Sequence, residues 1–178
     1  MNAPQASAIE ATPWQRASHK AFTEAGIAQV AYVPDAGHTG LIALCAADPQ
    51  IEMTVLTTEE EGIGILAGAW LGGQRGALLM QSSGVGNCIN TLALTETCKF
   101  PMLLLVTMRG EFEEFNPWQA PMGRSSQSAL ELMGVTVHRT DEPDALGPLV
   151  AEAAAETARR EQPVAVLIGQ KLIGAKKW

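Results

Sequence analysis

The sequence predicts an α/β protein, a three-layer α/β/α sandwich around a six-stranded parallel sheet. Two observations carry this. Short β-branched or leucine-rich runs alternate with helical segments from end to end, the order that right-handed crossovers turn into a parallel sheet. Apolar residues make up 47% of the chain and aromatics only 5%, so the core is built from Leu, Ile, Val and Ala, the usage of helices packed on a sheet. A length of 178 residues suffices for one continuous core without metals or crosslinks, so a single domain over 1–178 is expected, with 1–12 as a flexible lead.

The elements follow in order. Trp14 to Ala25 has helical spacing and stops at Gly26, a helix-ending residue. Gln29-Val30-Ala31-Tyr32-Val33 is a strand closed by Pro34, and Leu41 to Ala47 is a helix. The unit then recurs: strand Met53 to Leu56, helix Glu60 to Leu71, strand Ala77 to Met80, helix Asn87 to Cys98, strand Met102 to Thr107. A long aperiodic loop covers Arg109 to Gln127, a length that marks functional segments. A short helix at Ala129 to Met133, a strand at Val135 to Val137, a helix from Pro143 to Arg160 and a strand from Val164 to Ile168 complete the pattern.

Composition narrows the function. The net charge is -7 and the only basic pairs are Arg159-Arg160 and Lys176-Lys177, so the electrostatic footprint of a nucleic-acid binder is missing. Cys45, Cys88 and Cys98 lack C-x-x-C spacing and sit in apolar contexts, which reads as buried reduced thiols and no zinc site. Residues 1–13 have neither a basic nor an apolar leader region, and Met102 to Val106 is far too short to span a bilayer; a cytoplasmic, non-membrane protein is expected.

Ligands of open parallel sheets lie beyond the carboxyl ends of the strands. The turns Pro34 to Gly40, Thr57 to Gly62, Gln81 to Asn87 and Thr107 to Gln127 therefore share one edge. Glu59-Glu60-Glu61 opens a Gly- and Ala-rich helix that a ligand or backbone can approach closely. Capping by Thr57 or Thr58 with Glu60 or Glu61, and attraction of acids to a helix start, explain much of the cluster. Gly62-x-Gly64-x-x-Ala67 matches a dinucleotide fingerprint, but three adjacent carboxylates oppose a pyrophosphate there. Gln81-Ser82-Ser83-Gly84-Val85-Gly86-Asn87 reads as an anion-binding turn, without the G-K-[ST] ending of a P-loop. His38 is a candidate proton donor, and Arg109 and Arg124 bracket the long loop as candidate clamps for a carboxylate, phosphonate or sulfonate. These pieces leave open a non-catalytic nucleotide-binding or regulatory module.

In combination, Val33-Pro34-Asp35, Glu59 to Gly64, Met80 to Asn87, Pro101 to Leu105 and Pro121-Met122-Gly123-Arg124 resemble the pyrimidine-binding domain of thiamine-diphosphate enzymes. Within that family the sequence is similar to alpha subunits of sulfopyruvate decarboxylase, then to phosphonopyruvate decarboxylase. The resemblance implies the thiamine-diphosphate-binding fold and decarboxylation of a 2-keto acid, with carboligation as the alternative chemistry. It implies a glutamate on the cofactor's aminopyrimidine. The Gly and Ala spacing assigns that role to Glu60, whose carboxyl is then expected in a dry crevice with raised proton affinity; Glu61 would be the helix cap and Glu59 would face solvent or a partner. Gly84, Val85, Gly86 and Asn87 become cofactor-binding positions, His38 a catalytic one, and Pro34, Asp35, Ser82, Ser83, Arg109 and Arg124 substrate-facing ones. The chain contains no Gly-Asp-Gly. The resemblance therefore implies a separate subunit that holds the diphosphate through Mg²⁺, with the site at the interface of a hetero-oligomer and Trp70, Phe112, Phe115 and Trp118 as interface or lid residues, Trp70 equally a core residue.

Overall fold

The computed structural model describes residues 10–174, so the larger part of the expected flexible lead, and the pair Lys176-Lys177, lie outside the described residues. Six parallel strands form one sheet: β1 (Ile27–Tyr32), β2 (Glu52–Val55), β3 (Arg75–Gln81), β4 (Leu103–Thr107), β5 (Thr136–Thr140) and β6 (Val164–Ile168). Their spatial order is β2-β1-β3-β4-β6-β5. The chain leaves β1 toward one edge and returns to the other side at β3, so a crevice opens between the carboxyl ends of β1 and β3. The sandwich and the six strands are as the sequence predicts.

Alternation along the strands feeds two cores. Val30, Ala77, Leu79, Leu103, Leu105, Val164 and Val166 face α1 (Pro13–Glu24), α2 (Thr39–Ala47) and α7 (Pro143–Arg160), packing on Trp14, Phe22, Leu41 and Val150. Ala31, Leu78, Met80, Leu104, Val106, Ala165 and Leu167 face the opposite layer, α3 (Glu59–Leu71), α4 (Ser82–Cys88) and α6 (Ala120–Leu132), packing on Ile63, Leu66, Val85 and Leu130. Each fully buried leucine or phenylalanine contributes about 1.5–3 kcal/mol relative to an exposed one. The ends of α1 follow from chemistry: Thr12 and Gln15 form a capping box, Pro13 occupies the first turn, and Gly26 follows with φ of 68°.

Three expectations change. The helix expected over 87–98 is two: α4 begins at Ser82, directly after β3, and α5 (Ala93–Cys98) follows a bend. The long loop ends at Gln119, not Gln127, because a 3-10 turn (Pro117–Gln119) leads into α6. Pro121 fits the first turn of that helix. Gly123, Ser125, Ser126 and Ser128 hid it, and packing overrides their poor propensity: Gly123 lies against Gly110 and the Arg109 carbonyl, and the Ser126 hydroxyl reaches the carbonyls of Met122 and Ser82. A short α8 (Gln170–Ile173), not expected, follows β6.

The cysteines divide. Cys45 and Cys88 are buried, and burial pushes both thiols up to about 12, whereas Cys98 at the end of α5 is exposed, against the expectation of three buried thiols. We expect a thiol reagent at pH 8 to label one site in the native chain, Cys98, and three after unfolding in urea, counted by intact mass. Rapid native labelling of Cys88 would show that the α4 layer opens.

Candidate functional site

Glu59 opens α3 after the N-cap Thr58, and it shares a helical face with Ile63 and Leu66 at i, i+4 and i+7. Since Ile63 and Leu66 are core, Glu59 is carried inward and is 9% exposed. Its carboxylate lies over α4: Asn87 Nδ2 donates to Glu59 Oε2 at 2.8 Å, and a Cβ built on Gly84 would lie 2.4 Å from Glu59 Cδ. Glu59 Oε1 accepts no hydrogen bond among the described residues.

This corrects the reading of the acid cluster. Glu60 stands on the next face, where it accepts from the Thr58 hydroxyl; that bond holds its carboxyl below the ordinary carboxylate range, opposite to the raised affinity expected. Glu61 is exposed and accepts the Thr57 backbone N–H at 2.9 Å, so it satisfies the helix start one residue before the N-cap. The inward acid is Glu59. The helix periodicity that identifies it was present in the sequence, in the apolar residues after the acids.

The remaining candidates fall into two groups. Around the end of β3, the Asp35 carboxylate accepts from Gln81 Nε2 and, at 2.6 Å, from the Thr107 hydroxyl. Strands β1, β3 and β4 thus converge on one carboxylate, with Pro34 exposed beside it in a groove that Tyr32, Ala36, Thr39 and Ile42 also line. His38 is fully buried rather than in an open loop; Nε2 is 3.3 Å from the Met80 carbonyl, Nδ1 has no partner among the described residues, and burial lowers its pKa. Gly84, Val85, Gly86 and Asn87 are inside α4, so the expected anion-binding turn is a helix with Gln81 as N-cap. Ser82 is buried and its hydroxyl accepts the Arg109 backbone N–H, while Ser83 is half-buried. The side-chain bonds of Gln81 and Thr107 to Asp35 are not among the sequence expectations, which place Gln81 only at the start of an anion-binding turn, and nothing local in an apolar strand end marks them.

The second group lies at the ends of β4 and β6. Arg109 does not bracket an open loop: its Nε and one terminal nitrogen each donate to Glu114 at 2.7 Å. Glu114 also accepts from the Gly110 N–H at 3.2 Å, the Asn116 N–H at 3.0 Å and Gln170 Nε2 at 2.9 Å. Arg139 forks onto Glu111 and touches Asp141, so the acidic stretch 111–114 is largely neutralised within the chain. Arg124 projects from α6, exposed and without an ion pair among the described residues. Trp118 and Phe115 are exposed, whereas Phe112 is half-buried under Lys171 and Trp70 packs on the second core.

The Arg109 fork, then the backbone and Gln170 donors, holds the Glu114 carboxyl at about 2, down from 4.5. A carboxyl depressed on folding stabilises the fold above its unfolded pKa and loses that contribution as pH falls through the folded value. We expect Glu114→Gln to cost about 2–3 kcal/mol at pH 7 and progressively less between pH 4.5 and 2, measured by urea unfolding at several pH values.

No protein-family model matches the sequence. The chain is similar to the alpha subunit of sulfopyruvate decarboxylase from Methanococcus maripaludis, 36% identical over 153 residues that cover 85% of this chain and 92% of that subunit. The Methanocaldococcus jannaschii subunit is 36% identical over 152 residues, covering 85% and 90%. A phosphonopyruvate decarboxylase from Streptomyces viridochromogenes is 34% identical over 155 residues, 85% of this chain but 39% of that longer one. Among solved structures, a 2-oxoglutarate:ferredoxin oxidoreductase from Magnetococcus marinus superposes with a TM-score of 0.71 at 12% identity, covering 90% of this chain and 29% of that one, a likeness of fold alone.

Proposed function

Because the chain belongs to the family of sulfopyruvate decarboxylase alpha subunits and related phosphonopyruvate decarboxylases, we propose that it is the pyrimidine-binding subunit of a thiamine-diphosphate-dependent 2-keto acid decarboxylase. The substrate is sulfopyruvate or phosphonopyruvate, and the enzyme is cytoplasmic. The observation that carries this reading is the Glu59 carboxylate, buried over a glycine, with one oxygen engaged and the other unengaged.

The residues present fit an aminopyrimidine. Gly84 leaves a cradle that any Cβ would fill, and Asn87 fixes Glu59 Oε2 so that Oε1 can share a proton with a ring nitrogen. When bound, thiamine diphosphate supplies the electron sink that lets a 2-keto acid lose carbon dioxide. The chain's work is position and proton control. Asp35, clamped by Gln81 and Thr107, sets a second carboxylate at the strand ends, where a substrate would meet it. Buried His38 ties that turn to β3 at the Met80 carbonyl, in place of the expected role of an accessible proton donor.

Coverage supports a partner subunit. The chain spans nearly all of an alpha subunit but 39% of the longer phosphonopyruvate decarboxylase, so a second subunit would supply the rest, including the Mg²⁺ and diphosphate site. Produced together with a diphosphate-domain subunit, thiamine diphosphate and Mg²⁺, the chain should release carbon dioxide from sulfopyruvate or phosphonopyruvate; alone it should release none. An assembled complex that decarboxylates neither acid would remove this reading, and so would tight NAD or ATP binding by the chain alone.

A further inference from the structure

The Arg109–Glu114 cluster brings to its acceptor more donors than the acceptor has lone-pair sites. Five N–H groups converge on one carboxylate: Arg109 Nε, Gly110 N and Gln170 Nε2 on Oε2, and an Arg109 terminal nitrogen and Asn116 N on Oε1. A carboxylate offers about four lone-pair sites, two per oxygen. Glu114 Oε2 takes three donors, and the Gly110 contact at 3.2 Å is the longest of the five. A group with three oxygens on one centre matches this donor set better than a planar carboxylate does.

The setting points the same way. The donors stand at the carboxyl ends of β4 and β6, on the sheet edge that holds Asp35 and Glu59. Arg139 is occupied by Glu111 and Asp141, and Lys171 lies over the Phe112 ring. The carboxylate that fills the site rides on a segment without regular structure, just after Gly110 at φ of 79° and Glu113 at φ of 45°. Phe115, one residue on, lies under the Arg109 guanidinium at 5.9 Å and is 46% exposed.

We propose that this cluster is an anion-binding site for a sulfonate or phosphonate group, which the chain's own Glu114 fills until such a group displaces it. The site rests on the proposed function only for the identity of that group as the far end of the substrate; anion binding itself needs neither cofactor nor partner. Displacement frees residues 113–116 to reposition the exposed aromatics Phe115 and Trp118. The ligand must replace a strongly held carboxylate, which selects strong anions carrying at least three oxygens over a simple carboxylate such as acetate.

The test is methanesulfonate binding by the full chain, followed by calorimetry and by Trp fluorescence. Glu114→Ala should bind at least tenfold more tightly than the wild type, acetate should not compete, and adding Arg109→Met should abolish the gain. Unchanged affinity in a Glu114→Ala chain with native circular dichroism would overturn the proposal, and so would a gain that survives loss of Arg109. If that variant does not fold, the wild type decides: the Arg109 Nε–H resonance should shift on saturation with methanesulfonate, and its failure to move overturns the site. Neither failure touches the decarboxylase reading, which is tested by carbon dioxide release.

Discussion

Glu59→Gln in the assembled enzyme should lower the decarboxylation rate constant by about three orders of magnitude, within the 10²–10⁴ typical of a positioned proton-transfer group. The replacement preserves shape, because its amide oxygen can still accept from Asn87 Nδ2 where Glu59 Oε2 does at 2.8 Å. What it removes is the shared proton. Glu60→Gln is the control: the half-buried residue stands off the Glu59 face of α3 and its carboxylate bonds only Thr58 among the described residues, and its loss should change the rate by no more than about twofold. Single-turnover carbon dioxide release, with melting temperatures recorded for both variants, separates chemistry from folding. The reverse pattern, an inactive Glu60→Gln and an active Glu59→Gln, would return the role to Glu60.

The acids show what a sequence of this kind carries. Apolar periodicity located all six strands, because β4 and β6, buried on both faces, admit little else, and it located α7 to the residue. Phase within a helix was equally legible, since Ile63 and Leu66 fix the inward face of α3, yet glycine and alanine spacing pointed one residue away. Small residues are permissive and tolerate burial or exposure, so they carry little phase; large apolar ones carry much. The start of α6 was obscured by the same permissiveness in Gly123 and its serines. The pairing of Arg109 with Glu114 was not legible, because nothing in a charged loop says which acid bends back onto which base. Asp35, Gln81 and Thr107 meet through sheet order, which brings β1, β3 and β4 side by side although the residues are up to 72 positions apart.

Gly84→Ala should separate activity from stability. A Cβ there would lie 2.4 Å from Glu59 Cδ and 2.5 Å from Cγ and Oε1, closer than real contacts allow. The three nearest atoms all belong to one side chain at a helix start, so rotation of that side chain outward relieves the clash without moving backbone. Alanine also favours a helix over glycine by roughly 0.5–1 kcal/mol, which offsets the lost burial of Glu59. The expected result is a urea midpoint close to that of the wild type. The rate should behave otherwise, since a catalytic group displaced by about 1 Å can cost a hundredfold, and here the carboxylate is expelled from its cradle. Thermal and urea unfolding of the chain, set beside kcat of the assembled enzyme, make the comparison. Full activity in a stable Gly84→Ala enzyme would mean that the Glu59 carboxylate works from somewhere other than over Gly84, and the cradle would lose its assigned ligand; a stable, inactive one ties the chemistry to that single hydrogen atom on α4.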